Sequence, residues 1–258
     1  MLTRNQIIAA VTPRLQAADC IRAAWLGGSD ATGRADDRSD IDIVLIVETG
    51  TIEDAARVFE AAVSDLSPIR VRLRLPMPTW HGFHQAFYQL QDAADDNMID
   101  WLMIERGQPH EWTVVERHGV PRVLFDKEGL IRAAPLDREA LDARLRARVE
   151  DLRAKFALFN HLPAKLIDRG LPVDAAYFYS ALILRPLVDM LRILHCPERH
   201  DFGFRYVQAD LPPELVQTLA RLWYIPEPGA LNQRIHEATA LFRAALADWD
   251  ARHPAPPA

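Results

Sequence analysis

Two aspartates, Asp40 and Asp42, stand where a polar stretch meets the apolar run 41–47, IDIVLIV. Its β-branched residues predict a central strand. Residues two apart in a strand project from the same face, so we expect the two carboxylates to point together. Carboxylates held that close stay ionised only when a cation lies between them. Paired oxygen ligands of this kind suit Mg²⁺, which binds carboxylate and phosphate oxygens.

A second motif, Gly27-Gly28-Ser29, directly follows the short apolar run 23–27. Glycines in such a turn let the backbone approach a ligand closely and can direct amides at an anion. Ser29 adds a hydroxyl donor. A phosphate cradle followed by a metal-binding Asp-x-Asp sequence predicts a site for a magnesium-bound nucleotide.

Gly28-Ser29, a ten-residue spacer and then Asp40-Ile41-Asp42 resemble the signature of the DNA polymerase β-like nucleotidyltransferase superfamily. The sequence SDID is especially similar to small bacterial members and to antibiotic-modifying nucleotidyltransferases. The order of elements around the motif extends the resemblance over residues 1–135. The segment GVPRVLFDKEG also resembles a segment that follows the core in kanamycin-modifying enzymes.

The resemblance implies that Asp40 and Asp42 ligate two Mg²⁺ ions together with a third carboxylate on a neighbouring strand. We assign that role to Asp100, an acid within the extended apolar run 97–107, with Glu105 in the same run as the alternative. The third acid would orient or deprotonate an acceptor hydroxyl. Ser29 and the amides of Gly27 and Gly28 would hold the β and γ phosphates.

The remaining polar residues are interpreted as structural or solvated. Asp30, Asp36 and Asp37 are predicted to be solvated loop acids, and the arginines between them surface residues. The nine histidines show no zinc-binding spacing, and two cysteines are too few for a disulfide framework or a thiolate metal site.

The elements that must position these motifs form an α/β half. Helices are predicted over 4–20, 51–66 and 81–92, and strands over 23–27, 41–47, 69–76 and 97–107. The run 69–76 alternates apolar and basic residues, as is typical of an edge strand with one wet face. Two further strands are predicted in 111–129, on either side of the turn RHGVP.

Beyond residue 135 the composition becomes rich in Ala, Leu and Arg, with the three- and four-residue apolar spacing of helices over 138–160, 174–195, 212–224 and 230–251. The predicted fold is an α+β nucleotidyltransferase domain with a mixed sheet over 1–135, followed by an all-α helical bundle over 136–252. Residues 253–258, HPAPPA, are predicted to be a disordered tail.

The whole-chain composition restricts the partners. A net charge of −6 gives no basic footprint, so a long nucleic acid is a disfavoured partner. No apolar run reaches the ~20 residues that span a bilayer, and the first twenty residues suit an amphipathic helix. We therefore expect a cytoplasmic protein that does not bind membranes.

Together these features predict an enzyme that transfers a nucleoside monophosphate, most simply AMP from ATP, to a hydroxyl of a small molecule such as an aminoglycoside or lincosamide. The acceptor is expected between the two halves of the chain. Two alternatives remain open: a protein- or RNA-modifying nucleotidyltransferase of toxin–antitoxin type, and a non-catalytic nucleotide-binding module of the same fold.

Overall fold

The computed structural model describes residues 1–227 and 229–254. The chain divides into two compact units, Met1–Leu136 and Asp137–Ala258. The first combines a mixed sheet with helices and the second is helical, so the predicted fold class is confirmed. Of the predicted tail, residues 255–258 lie outside the described residues.

The N-terminal unit combines four helices with six strands. Its elements are α1 Arg4–Ala17, β1 Ile21–Leu26, α2 Gly28–Ala31, β2 Ile41–Val47, α3 Ile52–Ser64, β3 Ile69–Arg74, β4 His84–Leu90, β5 Ile99–Glu105, α4 Val115–His118 and β6 Arg122–Asp126.

The six strands form one sheet in the order β3-β4-β5-β2-β1-β6. Strands β2 and β5 pair in parallel, whereas the other neighbours are antiparallel. β3 lies at one edge of the sheet, as its alternation of apolar and basic residues predicts. The parallel pair therefore occupies the centre of a mixed sheet.

The two faces of the sheet have separate cores. One face packs against α1 and α3 and buries residues such as Ile43, Leu45 and Trp101. The opposite face buries a smaller cluster that includes Val44 and Leu102. Because side chains alternate along a strand, residues 42 and 100 belong to this second face.

The helix predicted over 81–92 is wrong, because this segment contains strand β4. Phe83, Phe87 and Leu90 have a helix-like spacing, but the side chains that are buried on one face are Ala86, Tyr88 and Leu90, every second residue. A period of two is the strand pattern. Three- and four-residue spacing alone was therefore misleading here.

Of the two strands predicted in 111–129, only the second forms, as β6. The first is replaced by the short helix α4, which is followed by Gly119 with φ +80°. A Cβ at Gly119 would lie 2.3 Å from the carbonyl oxygen of Ala31. The close approach of two backbone segments thus determines the structure at this point.

The C-terminal unit is helical throughout its described elements. These are α5 Arg138–Phe159, α6 Leu162–Asp168, α7 Pro172–Tyr179, a π-helical turn Ser180–Leu184, α8 Arg185–His195, a 3₁₀ turn Pro197–Arg199, α9 Val207–Asp210, α10 Pro213–Trp223 and α11 Ala230–Arg252. In its core Phe156 stacks on Phe242 with ring centroids 3.8 Å apart. The hydroxyl of Tyr179 donates to the carbonyl of Leu222 at 3.0 Å.

Candidate functional site

The first residues of β2 and β5 bring two carboxylates together. In the parallel ladder Asp42 is the register partner of Asp100. Register partners on adjacent strands project from the same face, with the strands about 4.8 Å apart. Both side chains therefore lie on the face opposite α1 and α3, and both residues are half-buried.

The glycine turn lies directly against this pair. The amide of Gly27 donates to the carbonyl of Asp42 at 2.9 Å. Gly28 has φ +51°, and a Cβ there would lie 1.8 Å from Oδ2 of Asp42. Only glycine fits this position, because any side chain would strain the backbone and overlap the carboxylate. The two sequence motifs are thus in direct contact.

Ser29 follows in the short helix α2. Its hydroxyl is buried and has no hydrogen-bond partner among the residues that the structure describes. A buried hydroxyl without a partner costs free energy, which a ligand oxygen would recover. The amide of Gly27 is already engaged with Asp42, so of the predicted phosphate donors Ser29 and the amide of Gly28 remain.

Asp100 has an unusual environment for a carboxylate. Its oxygens Oδ1 and Oδ2 both accept hydrogen bonds from the side-chain amide of Gln85, each at 2.9 Å. Burial raises the pKa of the Asp100 carboxyl to about 7. The Gln85 hydrogen bond opposes this rise in pKa, whereas the negative charges of Asp42 and Asp40 add to it. The carboxyl thus titrates near neutral pH.

Asp40 precedes β2 and is exposed at its mouth. Partial desolvation raises the pKa of its carboxyl, the backbone hydrogen bond from Met98 opposes this, and the charge of Asp96 adds to it. The next residue, Ile41, donates its amide to the carbonyl of Met98 at 2.8 Å. The segment before β5 thus holds Asp40 close enough to Asp100 for their charges to interact.

Glu105, the alternative third acid, lies at the other end of β5. Its register partner is Val47, and its Oε1 accepts the amide of Gly50 at 2.8 Å. Of the two candidates that the sequence leaves open, Asp100 is therefore the one beside Asp42.

The prediction that Asp30 is a solvated loop acid is wrong. Its side chain is only 2% exposed and forms ion pairs with Arg4 and Arg122. Arginines from α1 and β6 thereby hold α2, with its Ser29, against the sheet. Asp36 and Asp37 are exposed, as predicted.

Oxygen donors at this site fit magnesium better than a transition metal. No three His, Cys, Asp or Glu side chains form a ready-made metal cluster within residues 1–227 and 229–254. Mg²⁺ usually takes only one or two protein carboxylates and completes its shell with phosphate oxygens and water. Asp42, flanked by Asp40 and Asp100, fits an ion of that kind.

Sequence reasoning missed Gln85, because the helix predicted over 81–92 hid its position. Gln85 on β4 is the register partner of Leu102 on β5. Leu102 and Asp100 are two residues apart in β5, so Gln85 lies on the same face as Asp100. The alternate burial of Ala86, Tyr88 and Leu90 is the signal that could have identified this strand.

Residues 9–96 match the family of nucleotidyltransferase domains. This range contains the glycine turn, Asp40 and Asp42, and it ends just before β5 and Asp100. No curated protein matches the chain.

Three solved structures are similar to the chain at low identity. An aminoglycoside 6-adenyltransferase from Bacillus subtilis aligns with 13% identity and a TM-score of 0.41, covering 99% of this chain and 94% of that one. A nucleotidyltransferase-like protein from Exiguobacterium sibiricum aligns with 13% identity and a TM-score of 0.37, covering 94% and 74%. A spectinomycin adenyltransferase from Enterococcus faecialis, determined with ATP and spectinomycin, aligns with 11% identity and a TM-score of 0.36, covering 94% and 97%.

All three TM-scores are below 0.5, so the assignment rests on the family match and on the motif that carries it. The glycine turn and the Asp-x-Asp sequence that suggested the resemblance lie inside the matched range. The predicted resemblance to nucleotidyltransferases is confirmed over residues 9–96, which match the nucleotidyltransferase domain model.

Proposed function

We propose that the protein is a Mg²⁺-dependent enzyme that transfers a nucleoside monophosphate, AMP from ATP, to a hydroxyl of a small-molecule acceptor. The observation that carries the proposal is the in-register pair Asp42 and Asp100, with the backbone of Gly28 against the first carboxylate. The family match supplies the reaction class. The choice of AMP follows the resemblance to antibiotic-modifying members.

The glycine turn would bind the donor triphosphate. The hydroxyl of Ser29 is buried without a protein partner and would donate to a phosphate oxygen. Gly28 has no side chain to keep the triphosphate away from Asp42.

Asp40, Asp42 and Asp100 would hold two Mg²⁺ ions together with the triphosphate. When bound, the metal neutralises charge on the phosphates and on the departing pyrophosphate. Before the nucleotide binds, the three carboxyl groups make the local electrostatic potential more negative, which favours binding of a cation.

Asp100 would be the general base. In the metal-free protein burial raises the pKa of the Asp100 carboxyl to about 7, so this carboxyl has a higher proton affinity than an ordinary aspartate. In the reaction the acceptor hydroxyl loses its proton to Asp100 as its oxygen bonds to the α-phosphorus. The bond between that phosphorus and the bridging oxygen breaks, and pyrophosphate leaves in line.

A small acceptor suits the charge of the protein. The net charge of −6 opposes long nucleic acids, whose phosphates need basic contacts. Hydroxyl-bearing, cationic antibiotics such as aminoglycosides or lincosamides would be attracted to an acidic site, and they are the acceptors we propose.

The test incubates the protein with Mg²⁺, one of four α-labelled nucleoside triphosphates and a panel of aminoglycosides and lincosamides. We expect pyrophosphate release and transfer of label to one antibiotic, with ATP as donor. Asp42→Ala and Asp40→Ala should abolish both signals, whereas Asp37→Ala, at an exposed acid of the same loop, should not. Activity that survives Asp42→Ala contradicts the mechanism. Label on protein or RNA from an added lysate would instead identify a macromolecular acceptor.

A further inference from the structure

The Asp100 carboxylate is held by a side chain from the neighbouring strand. Gln85 lies on β4 and projects from the same face as Asp100. Its amide nitrogen Nε2 is 2.9 Å from both carboxylate oxygens. A donor that contacts both oxygens fixes the plane of the carboxylate as well as its position. Gln85 therefore limits rotation of the proposed base.

The other end of the Gln85 amide is also fixed. Its oxygen Oε1 lies 2.9 Å from Nε2 of His81. Nε2 of Gln85 faces Asp100, so the amide oxygen faces His81, and an amide oxygen can only accept a hydrogen bond. The hydrogen between His81 and Gln85 therefore belongs to Nε2 of the imidazole.

The backbone determines the same tautomer independently. The amide of Phe83 donates to Nδ1 of His81 at 3.1 Å. A backbone N–H is only ever a donor, so Nδ1 must be the acceptor and Nε2 must carry the hydrogen. The hydroxyl of Thr79 donates to the carbonyl of Phe83 at 2.7 Å and closes this turn. The contacts at both ends of the His81–Gln85–Asp100 network thus agree: His81 donates to Gln85, and Gln85 donates to Asp100.

Aromatic rings surround the imidazole of His81. Phe83 stacks on it at 5.8 Å between centroids, with an interplanar angle of 16°. Trp112 and Trp80 meet it edge-on at 6.2 Å and 4.9 Å. A ring bounded on several sides keeps one orientation, which extends the rigidity of the network to its far end.

We propose that Gln85 and His81 are positioning residues of the nucleotidyl-transfer site: they hold the Asp100 carboxylate in the orientation in which it meets the acceptor hydroxyl. The proposal rests on the proposed function, because it assigns Asp100 the role of base. Preorganised partners of this kind keep a reacting group in its productive geometry without reorganisation during the reaction.

The first test replaces the donor with an apolar side chain of similar length. Gln85→Met should lower kcat about 10- to 100-fold. The KM for the nucleoside triphosphate should not change, because Gln85 lies beside the base and away from the glycine turn. Gln89→Met is the matched control: Gln89 projects from the same face of β4, but its amide donates to the carbonyl of Asp95 at 2.8 Å. The control should retain the wild-type kcat.

A pair of substitutions at His81 tests the direction of the network. His81→Gln places an amide donor near the former Nε2 and should retain most of the activity. His81→Asn places its polar atoms near the former Nδ1, loses the donor to Gln85, and should lower kcat about as much as Gln85→Met. A loss of overall packing would affect the two variants alike. Thermal melts establish that each variant is folded.

Two structural measurements, one on the unsubstituted protein and one on Gln85→Met, separate this proposal from the proposed function. The ¹⁵N shifts of the His81 imidazole should report the Nε2-protonated tautomer, and a crystal structure of Gln85→Met should show the Asp100 carboxylate rotated. Both results are read without any activity. A Nδ1-protonated His81, an unmoved Asp100 in that crystal structure, or equal kcat for Gln85→Met and Gln89→Met would overturn the positioning role. Absence of transfer by the wild-type protein would count against the proposed function alone.

Discussion

The carboxylates at the two ends of the β2–β5 pair differ in how their charge is compensated. At the carboxyl ends of the strands, Arg106 forms ion pairs with Glu48 and Glu128, and Arg22 contacts the same two glutamates. Glu105 accepts a backbone amide there. Two arginines thus pair with two glutamates, and their charges are compensated within the protein.

At the amino ends the partners are different. Asp100 accepts hydrogen bonds from a neutral amide, and burial raises the pKa of its carboxyl, with a further rise from the charges of Asp42 and Asp40. The backbone of a glycine, without a side chain, lies against Asp42. The same strand pair therefore brings acids together at both ends, but only at one end do they concentrate negative charge. Local compensation, more than the presence of acids, distinguishes the candidate site.

The largest expected effect separates the two acids of β5. Asp100→Asn removes the proposed base and should lower kcat by about 10²- to 10⁴-fold, the usual contribution of general base catalysis. Glu105→Gln, at the charge-compensated end of the same strand, should leave kcat within about threefold of wild type, because it contributes no proton transfer. Steady-state pyrophosphate release measures both. An equal loss in both variants would remove the distinction between the two ends.

Two glycines allow a similar comparison for the backbone. Gly28 and Gly50 both have positive φ, so alanine strains either position by about 1–2 kcal/mol. A Cβ at Gly28 would overlap the Asp42 carboxylate, whereas a Cβ at Gly50 meets nothing within 4 Å. Gly28→Ala should therefore lower the free energy of unfolding further than Gly50→Ala and abolish transfer, and Gly50→Ala should remain active. Urea unfolding and the transfer assay check the two effects.

The pH dependence of stability tests the raised pKa of Asp100 in metal-free protein. The pKa of Asp100 is raised to about 7 in the folded state, so between its ordinary pKa and 7 the folded state binds more protons than the unfolded state. This contribution to the free energy of unfolding is present at low pH and decreases by about 1.4 kcal/mol per pH unit as pH rises through that window. Asp100→Asn should remove the decrease. The free energy of unfolding of Asp100→Asn and of the wild type is measured with denaturant in EDTA from pH 5 to 8. The difference between the two free energies should grow as pH rises toward 7. A difference that stays constant would contradict the prediction.

The smallest expected effect concerns Ser29. Ser29→Ala removes a hydroxyl that has no partner among the described residues, so the free protein should lose no stability. The same change should raise the KM for the nucleoside triphosphate about tenfold, the value of one hydrogen bond to a charged group. Thr51→Ala is the comparison at the other end of β2, where the hydroxyl donates to the carbonyl of Glu48 at 2.7 Å. That variant should lose stability and keep its KM.

The parts of the site that sequence could predict are local. The bounds of β2 follow from a β-branched run, and the glycine turn follows from residue types within a few positions of Ser29. Asp100 could be named because it is an acid within an apolar extended run. That Asp100 lies beside Asp42, and Glu105 does not, depends on the register of two strands that are far apart in the sequence. No local pattern encodes this register.

The parts that sequence reasoning missed involve partners far apart in the chain. Asp30 is buried because Arg4 and Arg122 neutralise it, and neither is near it in sequence. Gln85 is not found from the sequence because residues 81–92 are predicted to be a helix, whereas they contain strand β4, which pairs with β5. In both cases the deciding interaction is made across the fold.

The seven consecutive register pairs of β2 and β5 also make pairing errors costly. A slip of one residue would turn each β5 side chain to the opposite face. Trp101, which packs near Phe59 in the larger core, would then lie on the face of the site, and the Asp100 carboxylate would enter that apolar core. Burying a carboxyl there without polar partners costs free energy, whether the group stays charged or becomes protonated. Asp100, the proposed base, therefore also disfavours a shifted register of β2 and β5. Replacing it with an uncharged residue is expected to make register errors less costly, in addition to lowering catalysis.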